Sequence, residues 1–262
     1  MPVSARILLI FQNNIMEDII KNPLFSSAEE ICNHTVGCTK SKKNKKITST
    51  ERDLVLNKQD ILNCIQFETS SFLFPTPVIN RVEIGDLPEL ALPFSKALNG
   101  SNHDIVLVFY EPDINFTRVI HNPKRYVEPL RKFAYVVGPD YSQKIGMNPF
   151  VCYYNSWWNK ALTAYFQVQG IRVIPNVTWS SPASYSYAFI GIPKNSVIAI
   201  NCTGIIGNPA SMYLWRKGYE EAIKVLEPTM IIRYGDKMPG EYEEISVYYE
   251  NINLKNLRNH GR

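Results

Sequence analysis

Two aspartates close two apolar runs in the stretch FYEPDINFTRVIHNPKRYVEPLRKFAYVVGPDYS, residues 109 to 142. Each follows a proline: Asp113 after Pro112 and Asp140 after Pro139. Carboxylates brought side by side separate their pKa values and can serve as acid and base. With an amide such as Asn201 they could instead hold a divalent cation. A plainer role is equally open. Aspartate after proline is a common turn residue, because its side chain bonds its own backbone two residues on. It also caps helices, and Asp113 stands just before INFTRVI, where a cap belongs. Trp179, in NVTWSS, could stack on a ring or sugar, although a tryptophan more often packs in a core. Asn201, in INCTG, is harder to dismiss, since a buried amide needs partners.

These residues matter together only if the chain delivers them to one place. From about residue 76 the sequence alternates buried-strand and helix patterns. HDIVLVFYEPD carries a continuous apolar run from Ile105 to Tyr110, which suits a strand covered on both faces. INFTRVIHNPKRYVEPLRK has helical spacing interrupted at Pro123. FAYVVGPDYS is the next strand, and PFVCYYNSWWNKALTAYFQVQG is a long helix closed by Gly170. IRVIPNVTWS, SVIAINCTGI, TMIIRYG and ISVYYEN add strands. SPASYSYAFIGIP is a connector, and PASMYLWRKGYEEAIKVLEP is a helix ending before Pro228. About six strands and four or five helices result.

This alternation predicts an α/β domain over residues 76–250 with a mostly parallel sheet. Crossovers are almost always right-handed, so all strand C-terminal ends fall on one side, where such folds place their sites. No glycine-rich dinucleotide loop follows the first strand, and a partial or irregular (β/α) barrel is favoured over an open sheet. Glu111, Asp113, Asp140, Ser142, Asn176, Trp179, Asn201, Thr203 and Asp236 all sit at strand ends in this arrangement.

Residues 1–75 read as a helical N-terminal extension, with the lysine-rich loop CTKSKKNKKITSTERD inside it and a capacity to bind a protein partner. Residues 251–262 read as a polar tail. Cys32, His34, Cys38 and Cys64 could be zinc ligands, but C-x-H-x3-C is not a common knuckle, and free thiols are the default. No metal or cofactor is assigned. GxxxxGK[ST], HExxH, GxSxG and the paired histidines of rolling-circle nickases are all missing.

Hydrophobic residues make up 45% of the 262, and charged residues 20%, ordinary for a folded globular chain. The net charge is +4, from 28 Lys and Arg against 24 Asp and Glu. So mild an excess permits contact with nucleic acid or an anionic ligand and argues for neither. Five cysteines at irregular spacing fit a reduced compartment. The opening apolar run ILLIF is shorter than the roughly 7–15 residues of a secretory core. No run approaches the roughly 20 residues of a membrane span. A cytoplasmic location without a membrane partner is expected.

Four long segments then carry a resemblance: VFYEPDINFTRVIHNPKRYVEPLRKF with GPDYS, KALTAYFQVQGIRVIPNVTW, and FIGIPKNSVIAINCTG. With LPFSKAL at 92–98, they resemble the bacterial and phage family catalogued as domain of unknown function 4417, over roughly residues 77–236. The resemblance implies a protein of a phage, plasmid or other mobile element, or of a host bacterium, with no established activity to carry over. Asp113, Asp140, Ser142, Asn155, Gln167, Trp179, Gly191 and Gly204 match the family pattern. Trp158 stands where an arginine is usual, Ile190 where an aspartate is usual, and Thr203 where a histidine is expected. Taken together, the expectation is a site at the strand ends. Asp113 and Asp140 would be its acid–base pair, and Ser142, Asn155, Trp179 and Asn201 would contact a small polar ligand. The alternative is a non-catalytic, nucleic-acid-associated accessory protein.

Overall fold

Among the described residues seven short strands run parallel and follow one another in chain order. The structure is a computed structural model that describes residues 61–68 and 75–252. Strands β1 (Phe67–Glu68) and β2 (Thr76–Pro77) form a small antiparallel pair. Strands β3 (Ala91–Pro93), β4 (Val106–Val108), β5 (Tyr135–Val137) and β6 (Val173–Ile174) make one parallel sheet in that order. Strands β7 (Val197–Asn201), β8 (Met230–Tyr234) and β9 (Ser246–Tyr249) make another. A parallel bridge between Asn176 and Ala199 joins the end of β6 to β7, with Val177 N 2.9 Å from Ala199 O.

The strands are apolar on both faces because both faces are covered, and the two-residue period sorts their side chains. Leu107, Phe109, Val136 and Val173 point into a core shared with the helices. The alternate positions Val106, Val108, Tyr110, Tyr135, Val137 and Ile174 join a second cluster with Ala91, Ala199, Ile232, Tyr234 and Tyr249. That second cluster draws on all seven parallel strands. The Tyr110 and Tyr234 rings lie 5.6 Å apart, although β4 and β8 are four positions apart in the order. In a flat sheet, with neighbours about 4.8 Å apart, they would stand roughly 19 Å from each other. The Tyr249 hydroxyl donates to Pro88 O at 2.7 Å, bringing β9 to the segment before β3. The strands therefore curl toward a shared interior. Among the described residues no ladder closes β9 onto β3.

Among the described residues six helices connect the strands: α1 (Phe94–Ala97), α2 (Thr117–His121), α3 (Lys124–Arg131), α4 (Pro149–Val168), α5 (Tyr185–Ala188) and α6 (Pro209–Leu226). Pro123 divides α2 from α3, as its missing N–H and the restriction on its predecessor require. Helix α4 starts behind Asn148, whose side chain accepts from Phe150 N at 2.9 Å, and is followed by Gly170 at φ 79°. Helix α6 starts in the same way, behind Asn208 and Pro209. On α4, Trp158 is buried while Tyr154 is exposed, so the aromatic run is divided between core and surface.

Strands β2 and β3 lie outside the six expected. Both are only two or three residues long, and each ends in a proline. Among the described residues no helix is long and apolar enough to cross a membrane. The extension over 1–75, apart from residues 61–68 and 75, lies outside the described residues, as does the tail beyond residue 252.

Candidate functional site at the strand ends

Asp140 leaves β5 through Gly138 and Pro139 and is partly buried above the interior cluster. Asn176, at the end of β6, donates to its Oδ1 at 3.1 Å. Asn201, the last residue of β7, approaches its Oδ2 at 3.5 Å. Each amide is turned toward the carboxyl by a donor on its far side. The Tyr110 hydroxyl donates to Asn176 Oδ1 at 2.9 Å, and the Thr203 N–H donates to Asn201 Oδ1 at 2.8 Å. Helix α6 holds Asn201 from behind, through Trp215 Nε1 to Asn201 O at 2.9 Å. Burial pushes the Asp140 carboxyl up from 3.8 to about 6. The two amides pull in the opposite direction, and Asp113 pushes it further up. The same burial, with Asp140 adding to it, holds the Tyr110 phenol well above its ordinary value. At neutral pH Asp140 is thus an acceptor that can still take a proton.

Asp113 stands close enough for its charge to act on Asp140, yet its side chain is committed elsewhere. It lies in the first turn of the 3-10 segment Asp113–Asn115 and makes no side-chain cap to it. Its Oδ1 accepts from Ser142 Oγ at 2.8 Å and its Oδ2 from Ser142 N at 3.1 Å. Asn155, on α4, donates to Ser142 O at 2.7 Å. Asp113, Ser142 and Asn155 form a brace that ties the loop after β4 to the loop after β5 and to α4. Asn159, one turn further along, bonds both the N and O of Tyr141. The Asp140 loop is fixed on both sides.

The structure therefore brings Asp113, Asp140, Ser142, Asn155 and Asn201 together. Trp179 is placed differently. Its ring packs 6.0 Å from Trp215 and 6.3 Å from Phe189, directly over Gly218, where a Cβ would meet its Nε1 at 2.0 Å. This contact joins the β6 end to α6, as core packing does. Gln167 binds Asn80 through both ends of its amide. Gly191 has φ 79° and leaves room for Pro77 O, 2.3 Å from where a Cβ would stand. These two positions hold the segment around β2.

Of the thiol and histidine group, Cys32, His34 and Cys38 lie outside the described residues, and Cys64 is exposed and free. Among the described residues no three His, Cys, Asp or Glu side chains are grouped to hold a metal ion. An apolar cavity of about 590 Å³ lies beside α4, lined by Leu62, Phe67, Phe150, Tyr153, Trp157 and Trp158 among others. None of the strand-end polar residues lines it.

Tyr110 gives no signal in a single sequence and looks like an ordinary strand residue until the curl brings it to Asn176. Asn176 was expected at a strand end, but nothing in the sequence singled it out as a partner of Asp140. Two further buried charges also went unseen. Arg233, on β8, is fully buried with its guanidinium 5.1 Å from the Trp215 ring. It binds Glu241 and Ile200 O, and Glu241 also accepts from the Tyr248 hydroxyl and Met238 N. Every bond of that pair is internal, which marks a structural clamp. Lys160, on α4, donates to Tyr187 O. Burial brings its amine down from 10.5 to about 7, opposed by the Glu68 charge.

Comparison with known proteins bears out the family resemblance. A family model described as a domain of unknown function (DUF4417) matches residues 67–251, and the chain belongs to that family. The "Gene 1 protein" of Mycobacterium phage L5 is 30% identical over 129 residues, 49% of this chain and 56% of its own. The "Gene 1 protein" of Mycobacterium phage D29 is 29% identical over 150 residues, 55% of this chain and 56% of its own. The chain spans about half the length of these curated relatives. No solved structure matches it.

Proposed function

We propose that this member of the DUF4417 family serves a phage or other mobile element through a binding or acid–base site at the C-terminal ends of its strands. Asp140 carries the proton in this reading. Asn176, Asn201 and Tyr110 aim and tune it, and the Asp113–Ser142–Asn155 brace keeps its loop in place. The observation that carries the proposal is a carboxyl raised to about 6 between two oriented amides, where parallel α/β folds present their ligands. Asp113 acts through Ser142, so its part is positioning rather than proton transfer.

A thermal-shift screen of metal ions, nucleotides and small polar compounds on wild type and Asp140→Asn tests this reading. A compound that stabilises the wild type alone supports a working site. A uniform response of both proteins, or none, removes it.

A second reading keeps the protein as a nucleic-acid-associated accessory. Its support is the exposed basic surface of α2 and α3, where Arg118, Lys124, Arg125, Arg131 and Lys132 sit on consecutive turns. Arg131 is partly neutralised by Glu128. Binding of this kind weakens steeply with salt, so a DNA-binding titration between low and physiological salt checks it.

A further inference from the structure

We propose that the groove between α6 and the turn leading into α5 is a peptide-binding site, which takes an extended, proline-rich segment of another protein. None of Asp140, Asn176 and Asn201 lines this groove, so it is a second site, independent of the strand-end one.

The groove has a volume of about 470 Å³, within the roughly 300–1,000 Å³ that ligand sites occupy. One wall is a stripe along α6. Tyr213, Lys217, Glu220 and Lys224 recur every three or four residues and so stand on one face of the helix. The other wall is the 3-10 turn Pro182–Ser184 with Tyr185 after it. Both walls are held before any ligand arrives. The Trp179 ring packs over Gly218 on α6. It lies 6.3 Å from Phe189, whose ring is 5.6 Å from that of Tyr185. Within the turn, Ser184 Oγ accepts from Ser180 N at 3.1 Å and donates to Ser181 O at 2.6 Å. A preformed groove binds without first having to be ordered.

One hydrogen-bonding group here is open. The Tyr185 hydroxyl is shielded from solvent and has no partner among the described residues. It belongs to the groove and not to the core behind it. The groups whose charge acts on it are Glu221, Glu220 and Tyr213, and all three line the groove. Glu221 turns to Lys224 instead of to the hydroxyl. A shielded hydroxyl without a bond is costly. As a phenol it can donate to a carbonyl that a ligand brings.

Charge decides the kind of occupant. The two lysines and two glutamates of the lining cancel. A nucleic-acid strand meets no positive excess in the lining to hold it, and the described residues hold no group of three metal ligands. What remains is the apolar and ring surface of Pro182, Tyr185, Tyr213 and Leu214, with Tyr213 62% exposed. Tyrosine-lined grooves suit proline rings, and a polyproline II strand leaves its carbonyls free for a donor such as Tyr185. Length agrees as well. From Tyr213 to Lys224 the helix rises about 16 Å, the span of about five residues of polyproline II. Glu220 is held by both Lys217 at 2.9 Å and Arg216 at 3.2 Å, whereas Glu221 has only Lys224 at 3.5 Å. Glu221 is therefore the carboxylate best placed to meet a basic residue beside the prolines.

The test is a backbone-amide NMR titration of the full chain with a peptide of five prolines followed by an arginine. A glycine–serine hexapeptide is the flexible control. The proline peptide is expected to shift the amides of Tyr185, Tyr213, Lys217 and Glu221, to leave those of Asp140 and Asn201 in place, and to bind at least about fivefold more tightly than the control. Tyr185→Phe should bind it about fivefold more weakly without melting earlier, because the hydroxyl bonds nothing in the free protein. Tyr213→Ala removes an exposed ring and should weaken binding about tenfold with the fold intact. An absence of shifts along α6 at millimolar peptide overturns the site. Equal binding of the glycine–serine peptide, or wild-type affinity in Tyr185→Phe, overturns it too. Each of these results leaves the strand-end site standing, since none of them reads its residues.

Discussion

Replacing Asp140 by asparagine should change the pH dependence of stability in one direction and in one window. The folded carboxyl titrates at about 6 against 3.8 for an unperturbed group. A pKa raised on folding means that the folded state holds the proton more tightly than the unfolded state does. Its contribution is fully present below about pH 4 and is lost as pH rises through 6. The difference of about 2 units, at 1.36 kcal/mol each, corresponds to an upper figure of about 3 kcal/mol. The partial exposure of Asp140 reduces this toward about 2 kcal/mol. Asp140→Asn removes the titration but keeps an oxygen for one of the two amides. Its stability relative to wild type should therefore improve by about 2–3 kcal/mol between pH 4 and pH 7.5, whatever the fixed cost of the substitution. Urea unfolding of both proteins at half-unit pH steps measures that difference. A gap that stays constant within about 0.5 kcal/mol across the range would refute the buried-carboxyl argument, and the site built on it.

Arg233→Met leaves Glu241 buried and unpaired, so it should cost about 3–5 kcal/mol by urea unfolding, whereas Arg233→Met with Glu241→Leu should recover much of that loss. Gly218→Ala pushes a methyl into the Trp179 ring and should destabilise by about 1–3 kcal/mol, with a lower melting temperature and altered tryptophan fluorescence. Lys160 titrates lower when folded, at about 7 instead of 10.5, so stability should rise with pH between about 7 and 10. Lys160→Met should flatten that rise in chemical unfolding, and an unchanged slope would assign it to another group.

How much of this was legible beforehand depends on whether the cause was local. The runs IVLVFY, AYVV and VIAIN announce strands covered on both faces, because only a doubly covered strand can be apolar at every position. Pro123 and Gly170 ended helices where their backbones require it. The strand-end placement of Asp113, Asp140, Ser142 and Asn201 followed from alternation alone, since crossover handedness puts all those ends on one side.

What tertiary structure decided is the partner of each side chain. Proline before Asp113 suggested a cap, but the side chain turned to Ser142 instead, a residue 29 positions away. Trp179 was a candidate stacking surface until Gly218 supplied a surface for it to cover. Tyr110 and Tyr234 had no reason to touch, because on a flat sheet β4 and β8 are too far apart. The curl that joins them is the sum of small twists between neighbouring strands, and no short stretch of sequence carries that sum. The sequence by itself determined which residues reach the rim of the sheet. The curvature of the sheet determined that Asp140 would sit there between two amides, with a proton to hold.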